Sequence, residues 1–213
     1  MNLSELSFVQ KVLLPFKKPT IFIDELAKKD LASYRITPKE VLEGVNAIYK
    51  ENGINFAYLL NDLEIREWRY RDSWWDKFRF LMVRLKDSGI CGVFIKDFLL
   101  NKLGNIHKTN LSLGVVVIGF SGCVNYGSGQ AYLGKYGNGP YIIGTRTDFT
   151  KERFEYLKML AHNCAHEQGH LYGLLHVDDK EFIMHAYSDF CNTKFDEISK
   201  KKLLSVLSGK ANG

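Results

Sequence analysis

The hydrophobic pattern at the start of the chain alternates between the period of a strand and that of a helix. Residues 19–23 form a short apolar run typical of a strand. Thr37, Pro38 and Glu40 then supply a cap, a first-turn proline and the glutamate of a capping box, and apolar residues follow at helical spacing. A second strand is predicted at 54–60, where alternate residues are apolar. This strand–helix–strand order indicates an α/β sandwich.

The middle of the chain carries further periodic segments. Helical spacing predicts a second helix at 73–86, and the β-branched run 115–118 predicts a central strand. Closely spaced glycines then separate two short strands, predicted at 130–133 and 141–144. We expect the first of these two strands to lie at an edge of the sheet, where its backbone remains open to an extended peptide.

Two helices are predicted near the end of the chain. The first runs from about 150 to 172 and contains most of the candidate chemistry described below. The last runs from about 195 to 207, and its amphipathic pattern is expected to bury one apolar face, formed by Ile198, Leu203, Leu204 and Leu207.

Composition and charge narrow the expected partners. The chain has 213 residues, of which 46% are hydrophobic, and 29 Lys and Arg against 24 Asp and Glu give a net charge of +5. The basic residues are dispersed and form no basic stripe, so no nucleic-acid partner is expected. No apolar stretch has the length of a membrane span or the form of a signal peptide, so we expect no membrane partner and a cytoplasmic protein. The four cysteines include no Cys-x-x-Cys pair, which argues against a cysteine metal site.

Candidate chemistry lies at the end of the predicted long helix. His166 and His170 are four residues apart, so both imidazoles leave the same helix face and can share one metal ion. Glu167 projects about 100° from His166, which suits a proton acceptor rather than a ligand. Gly173 suits the sharp turn at the helix end, and His176 then returns as a third nitrogen ligand. Three protein nitrogens leave one position open, which is the pattern of a catalytic zinc site.

The segment 166–176 resembles the metzincin superfamily of zinc metallopeptidases, because it meets every position of the signature H-E-x-x-H-x-x-G-x-x-H. Met184, eight residues further on, is similar to the methionine of that family's turn beneath the zinc. This spacing and residues 183–187 are most similar to the matrixin branch. In that branch the segment after the methionine walls the substrate pocket, which by position falls on Ala186 and Tyr187.

The resemblance implies an α/β (α+β) zincin domain with a twisted mixed sheet, an antiparallel edge strand, an active-site helix, a Met-turn and a C-terminal helix. One catalytic domain is expected over 1–213, with a sheet-rich subdomain at about 19–149 and the remaining elements at about 150–208. We expect one zinc ion and no calcium, because the acidic calcium loops and the second zinc site of matrixins are not recognisable. Ala186 stands where matrixins usually have proline. The archaemetzincins are a second resemblance, but their cysteine after the third histidine is replaced by Val177.

The expected reaction is hydrolysis of a peptide bond by a zinc-activated water, with Glu167 taking the proton and passing it to the leaving amine. A peptide or protein substrate would pair with the edge strand, which fits an endopeptidase. The residues of that strand expected to contact substrate are Gln130, Ala131, Tyr132 and Leu133. Two alternatives stay open, an aminopeptidase of archaemetzincin type and a non-catalytic zinc-binding interaction domain. The sequence does not identify an inhibitor or regulator.

Overall fold

A computed structural model of the chain describes residues 16–68, 99–101, 103–105, 115–125, 129–131, 133, 137–146, 152–186 and 192–208. Within these ranges none of the helices combines the length and apolar composition that a bilayer span requires. The helix predicted at 73–86 lies outside the described residues.

In the described ranges six strands form one mixed sheet. They are β1 (Phe16–Ile23), β2 (Ala57–Tyr58), β3 (Glu64–Glu67), β4 (Val115–Asn125), β5 (Gly129–Ala131) and β6 (Gly139–Arg146). Their order is β2-β1-β4-β6-β5, with β3 also paired to β1. All pairs are parallel except β5 with β6, so β5 is an antiparallel edge strand. The predicted mixed sheet with an antiparallel edge is therefore confirmed.

Four helices have their whole length described, namely α1 (Glu25–Ser33), α2 (Pro38–Glu51), α3 (Arg153–Leu171) and α4 (Glu197–Leu207). The capping box predicted for α2 is present, with the Thr37 side chain accepting from the Glu40 backbone and the Glu40 side chain accepting from the Thr37 backbone. Sequence periodicity did not predict α1, because this mostly polar helix buries only Ala27 and Leu31. Its start is fixed instead by Asp24, whose side chain accepts from the Ala27 backbone.

Three boundaries or faces differ from the prediction. Only Ala57–Tyr58 of the strand predicted at 54–60 is extended in the sheet, and a 3-10 helix follows at Leu60–Asp62. The edge strand ends at Ala131, before Leu133. In α4 two residues predicted to be buried are exposed, namely Ile198 at 80% and Leu204 at 45%. Both lie about 100° or more around the helix from the buried Leu203, outside the arc that packs on the core.

Helix α3 is held between α2 and the sheet. Every residue from Met159 to Gly169 is buried, so the centre of α3 is enclosed on all sides. Gly44 allows the close approach of α2, since a methyl group there would lie 2.7 Å from the Cβ of Ala161. The Tyr49 hydroxyl donates to the Ala165 carbonyl oxygen at 3.2 Å across the same interface. The helix with the candidate chemistry is therefore fixed relative to the sheet.

Candidate metal centre and active site

The end of α3 and the turn after it bring three histidines together. Gly173 adopts φ +80°, a left-handed conformation that glycine tolerates, and its N–H donates to the His170 carbonyl at 2.8 Å. The chain then returns so that His176 faces the helix. The Nε2 atom of His170 lies 3.0 Å from that of His166 and 3.2 Å from that of His176, and the remaining Nε2 pair is 3.3 Å apart.

This triangle of nitrogens has the dimensions of one face of a zinc coordination sphere. Tetrahedral zinc with bonds of about 2.0–2.1 Å to nitrogen requires neighbouring nitrogens to lie about 3.3–3.4 Å apart. The observed separations of 3.0 to 3.3 Å are within a few tenths of an ångström of that requirement. Among the described residues these three histidines form the group of side chains able to hold a metal ion. The donor set therefore fits zinc.

The hydrogen bonds of the Nδ1 atoms show which ring nitrogens of His166 and His170 carry a proton. His166 Nδ1 lies 2.7 Å from the Ile183 carbonyl oxygen, and His170 Nδ1 lies 2.8 Å from the Leu174 carbonyl oxygen. Because a carbonyl oxygen only accepts, each Nδ1 carries the proton and each Nε2 presents a lone pair. Two lone pairs cannot hydrogen-bond to each other at 3.0 Å. A bound cation is what makes this arrangement favourable.

Burial favours the neutral form of the three histidines, which is the protonation state that metal binding requires. Burial, with the neighbouring His170 as a second cause, lowers the pKa of His166 to about 3. Burial also lowers the pKa of His170 and, together with His185, the pKa of His176. Protons therefore compete weakly with a metal ion for these nitrogens.

Glu167 is buried on α3 and faces the edge strand. It follows His166 by about 100° around the helix, so it leaves the metal-facing side toward β5. A methyl group at Gly129 of β5 would lie 2.5 Å from the Oε1 atom of Glu167. The carboxylate is thus in contact with the backbone of the strand predicted to pair with substrate.

Met184 lies in the turn that supports the metal-facing side of α3. It is fully buried, and a methyl group at Gly169 would lie 2.7 Å from its sulfur atom. Its carbonyl oxygen accepts from the Val177 N–H at 3.1 Å, next to His176. The preceding residue, Ile183, supplies the carbonyl that binds His166. The turn therefore holds the His166 imidazole through the Ile183 carbonyl, and it is joined to the backbone after His176 through Met184.

The residues predicted to contact substrate fall into three groups. Gln130 and Ala131 are half-buried in β5, opposite residues of β6. Leu133 lies beyond the strand and is 62% exposed, and Ala186 is exposed in the turn after Met184. The last two predictions, Tyr132 and Tyr187, fall outside the described residues.

Sequence reasoning missed a buried polar network on the sheet-facing side of α3. Gln168 Oε1 accepts from the Tyr58 hydroxyl at 2.6 Å, and that hydroxyl lies 3.0 Å from the Tyr141 hydroxyl. Gln168 Nε2 donates to the Gly137 carbonyl oxygen at 2.9 Å. The available signal was a glutamine placed about 100° beyond Glu167, on the face that α3 turns to the sheet. The network ties α3 to β2, β6 and the connection between β5 and β6.

No protein-family model matches this sequence, and no curated protein is similar to it. Solved structures do resemble the fold. Archaemetzincin from Methanopyrus kandleri is 15% identical, with 91% of this chain and 97% of that chain covered and a TM-score of 0.56. Metalloproteinase-II from Bacteroides fragilis is 13% identical, with 90% of this chain and 52% of that chain covered and a TM-score of 0.50. A zinc-dependent peptidase from Methanocorpusculum labreanum is 17% identical, with 87% and 99% covered and a TM-score of 0.46.

At this level of identity the likeness shows a shared fold. It gives no support to the matrixin branch that residues 183–187 suggested, whereas the archaemetzincin resemblance agrees with the first of these structures. The chain therefore has an α/β fold in common with archaemetzincin, and its three converging histidines lie at the end of a buried helix of that fold.

Proposed function

We propose that this chain is a zinc-dependent peptidase. The observation that carries the proposal is the triangle of three Nε2 atoms, 3.0 to 3.3 Å apart, beside a buried carboxylate and an edge strand. Each element has a chemical use in hydrolysis of a peptide bond. The fold shared with archaemetzincin agrees with this reading.

His166, His170 and His176 would hold one zinc ion. Zinc bound there supplies Lewis-acid chemistry, since it lowers the pKa of water and polarises a carbonyl group. Glu167 accepts a proton from the attacking water and delivers it to the nitrogen of the leaving amine. The backbone of β5 orients the peptide by pairing with it, and Met184 packs on the helix that carries His166 and His170. The chain would form one catalytic domain, of archaemetzincin rather than matrixin type.

Two features favour catalysis over a purely structural metal site. A structural zinc site is closed by a fourth protein ligand, and the potential ligand group in the described ranges consists of three histidines. The carboxylate of Glu167 is buried next to the edge strand, one residue from His166. A binding module has no use for a proton acceptor at this place, whereas a peptidase needs one.

The outer edge of β5 favours an endopeptidase over an aminopeptidase. In the described ranges β5 is the last strand of the sheet, and an endopeptidase would pair an extended substrate with its outer edge. An aminopeptidase would in addition need an acidic group to hold the free amine of its substrate.

The test is cleavage of unfolded casein and of a quenched peptide library by the zinc-loaded protein. We expect cleavage that a chelator abolishes and that added zinc restores. Parallel reactions with N-acetylated peptides separate the two peptidase types, because an endopeptidase cuts them and an aminopeptidase does not. Zinc-loaded protein that cleaves no substrate in either set would contradict the proposal.

A further inference from the structure

We propose that Gly129 is a positioning residue for Glu167. The edge strand β5 then has two roles, since it pairs with substrate and also positions the proton acceptor. The inference rests on the proposed peptidase function for its catalytic consequence. The contact on which it depends is a property of the fold and is testable without activity.

The absence of a side chain at Gly129 is what admits the glutamate. A Cβ built at this position would lie 2.5 Å from Oε1, 2.7 Å from Cγ and 2.9 Å from Cδ of Glu167. Carbon–carbon contacts in proteins are favourable only at about 3.5–4.0 Å, so a methyl group would overlap most of the glutamate side chain. A shift of the carboxylate oxygens alone would not relieve this overlap, because Cγ is also too close.

Neither of the two elements that form this contact is free to move away. Glu167 is 5% exposed on a helix whose centre is enclosed on all sides. Gly129 is opposite Ile143 in the antiparallel pairing of β5 with β6. A methyl group at this position must therefore displace the glutamate side chain rather than the elements that carry it.

The connection between β5 and β6 is fastened to the same helix at a second place. The Gly137 N–H donates to the Leu171 carbonyl at 2.9 Å, and its carbonyl accepts from Gln168 Nε2 at 2.9 Å. The Tyr172 ring packs on Gly137, where a methyl group would lie 2.1 Å from Cζ. Hence β5 and the Glu167 carboxylate keep a fixed separation, and a peptide paired with β5 has a fixed position relative to its proton acceptor.

The catalytic test combines Gly129→Ala with Glu167→Ala, which lacks the three glutamate atoms that the methyl group would overlap. In the parent, Gly129→Ala should lower kcat by about tenfold or more with zinc fully retained, because small misplacements of a catalytic group are costly. In the Glu167→Ala background the same substitution should lower the residual kcat by at most about twofold. Equal losses in both backgrounds, or a change confined to KM, would mean that Gly129 acts on substrate rather than through Glu167, and would overturn the proposal.

The second test needs no substrate. Gly129→Ala should lower the urea midpoint of unfolding in the parent, and the shift should fall to below about half in the Glu167→Ala background, where the overlap is gone. Identical shifts of the urea midpoint in both backgrounds would mean that the methyl group does not overlap Glu167, and would overturn the proposal. If the parent cleaves no peptide, the proposed function fails. The comparison of urea midpoints still decides whether Gly129 positions Glu167.

Discussion

Replacement of the buried Lys17 by methionine tests how much the burial of an ionisable amine lowers the free energy of unfolding. Lys17 is fully buried on β1, and its Nζ donates to Asn138 Oδ1 at 2.8 Å. Burial lowers the pKa of Lys17 from its ordinary value of 10.5 to about 7. Methionine keeps the unbranched apolar side chain and removes the ionisable amine, so Lys17→Met isolates the effect of the proton.

The direction in which the free energy of unfolding changes with pH follows from the protons bound by Lys17 in the folded and unfolded states. Between pH 7 and pH 10 the unfolded chain keeps a proton on Lys17 that the folded protein has released, so the free energy of unfolding rises with pH at this site. The slope approaches about 1.4 kcal/mol per pH unit, and the lowered pKa costs the fold about 4 kcal/mol at pH 7. Raising the pH from 7 to 9 recovers about 2 kcal/mol of that cost.

Lys17→Met should therefore be more stable than the parent at neutral pH. Subtracting about 1 kcal/mol for the lost hydrogen bond to Asn138 leaves a gain of about 3 kcal/mol at pH 7. This gain should shrink by about 2 kcal/mol at pH 9. Urea denaturation at both pH values measures the difference, and Lys18→Met, at the exposed neighbouring position, is the matched control.

The refuting result is a difference between parent and Lys17→Met that stays constant from pH 7 to pH 9. A constant difference would mean that Lys17 keeps its proton in the folded protein, held by a partner that offsets burial. A loss of stability in Lys17→Met at pH 7 would contradict the reasoning in the same way.

Two further predictions concern the surroundings of the candidate site. Gln168→Leu leaves the Gly137 carbonyl without its donor and the Tyr58 hydroxyl without one partner, so urea denaturation should show a loss of about 2–4 kcal/mol, against about 1–2 kcal/mol for Tyr58→Phe. His176→Ala should release zinc during dialysis, as measured by metal analysis, whereas Cys164→Ser should retain it. Burial raises the pKa of the Cys164 thiol and so disfavours the thiolate that binds metal. Zinc loss in the cysteine variant would contradict the ligand assignment.

Much of the fold could be predicted because local signals agreed with tertiary packing. The capping box at Thr37 and Glu40 forms as predicted, and the glycine-flanked strand after β4 does lie at the sheet edge. Helix α1 was missed because its first-turn cap at Asp24 is a stronger determinant than its weak apolar pattern. The face of α4 was misjudged because leucine and isoleucine occur around more of its circumference than the core can cover.

In the candidate site, too, the features that local sequence determines could be predicted and those that depend on long-range packing could not. The spacing of His166, His170 and His176 predicts their convergence, since helix geometry and the turn at Gly173 are local properties. The contact of Glu167 with Gly129 depends on how closely β5 approaches α3, and sequence periodicity carries no information on that distance. Long-range packing of this kind requires coordinates.

The measurement that tests the central claim most directly is cleavage by Glu167→Gln alongside its zinc content. The glutamine keeps the size of the side chain and the three histidines but cannot accept the proton from the attacking water. We predict unchanged zinc stoichiometry and a fall in cleavage rate of at least about 10²-fold, the lower end of the range for general acid–base groups. Cleavage at the parent rate, with zinc fully bound, would contradict the account.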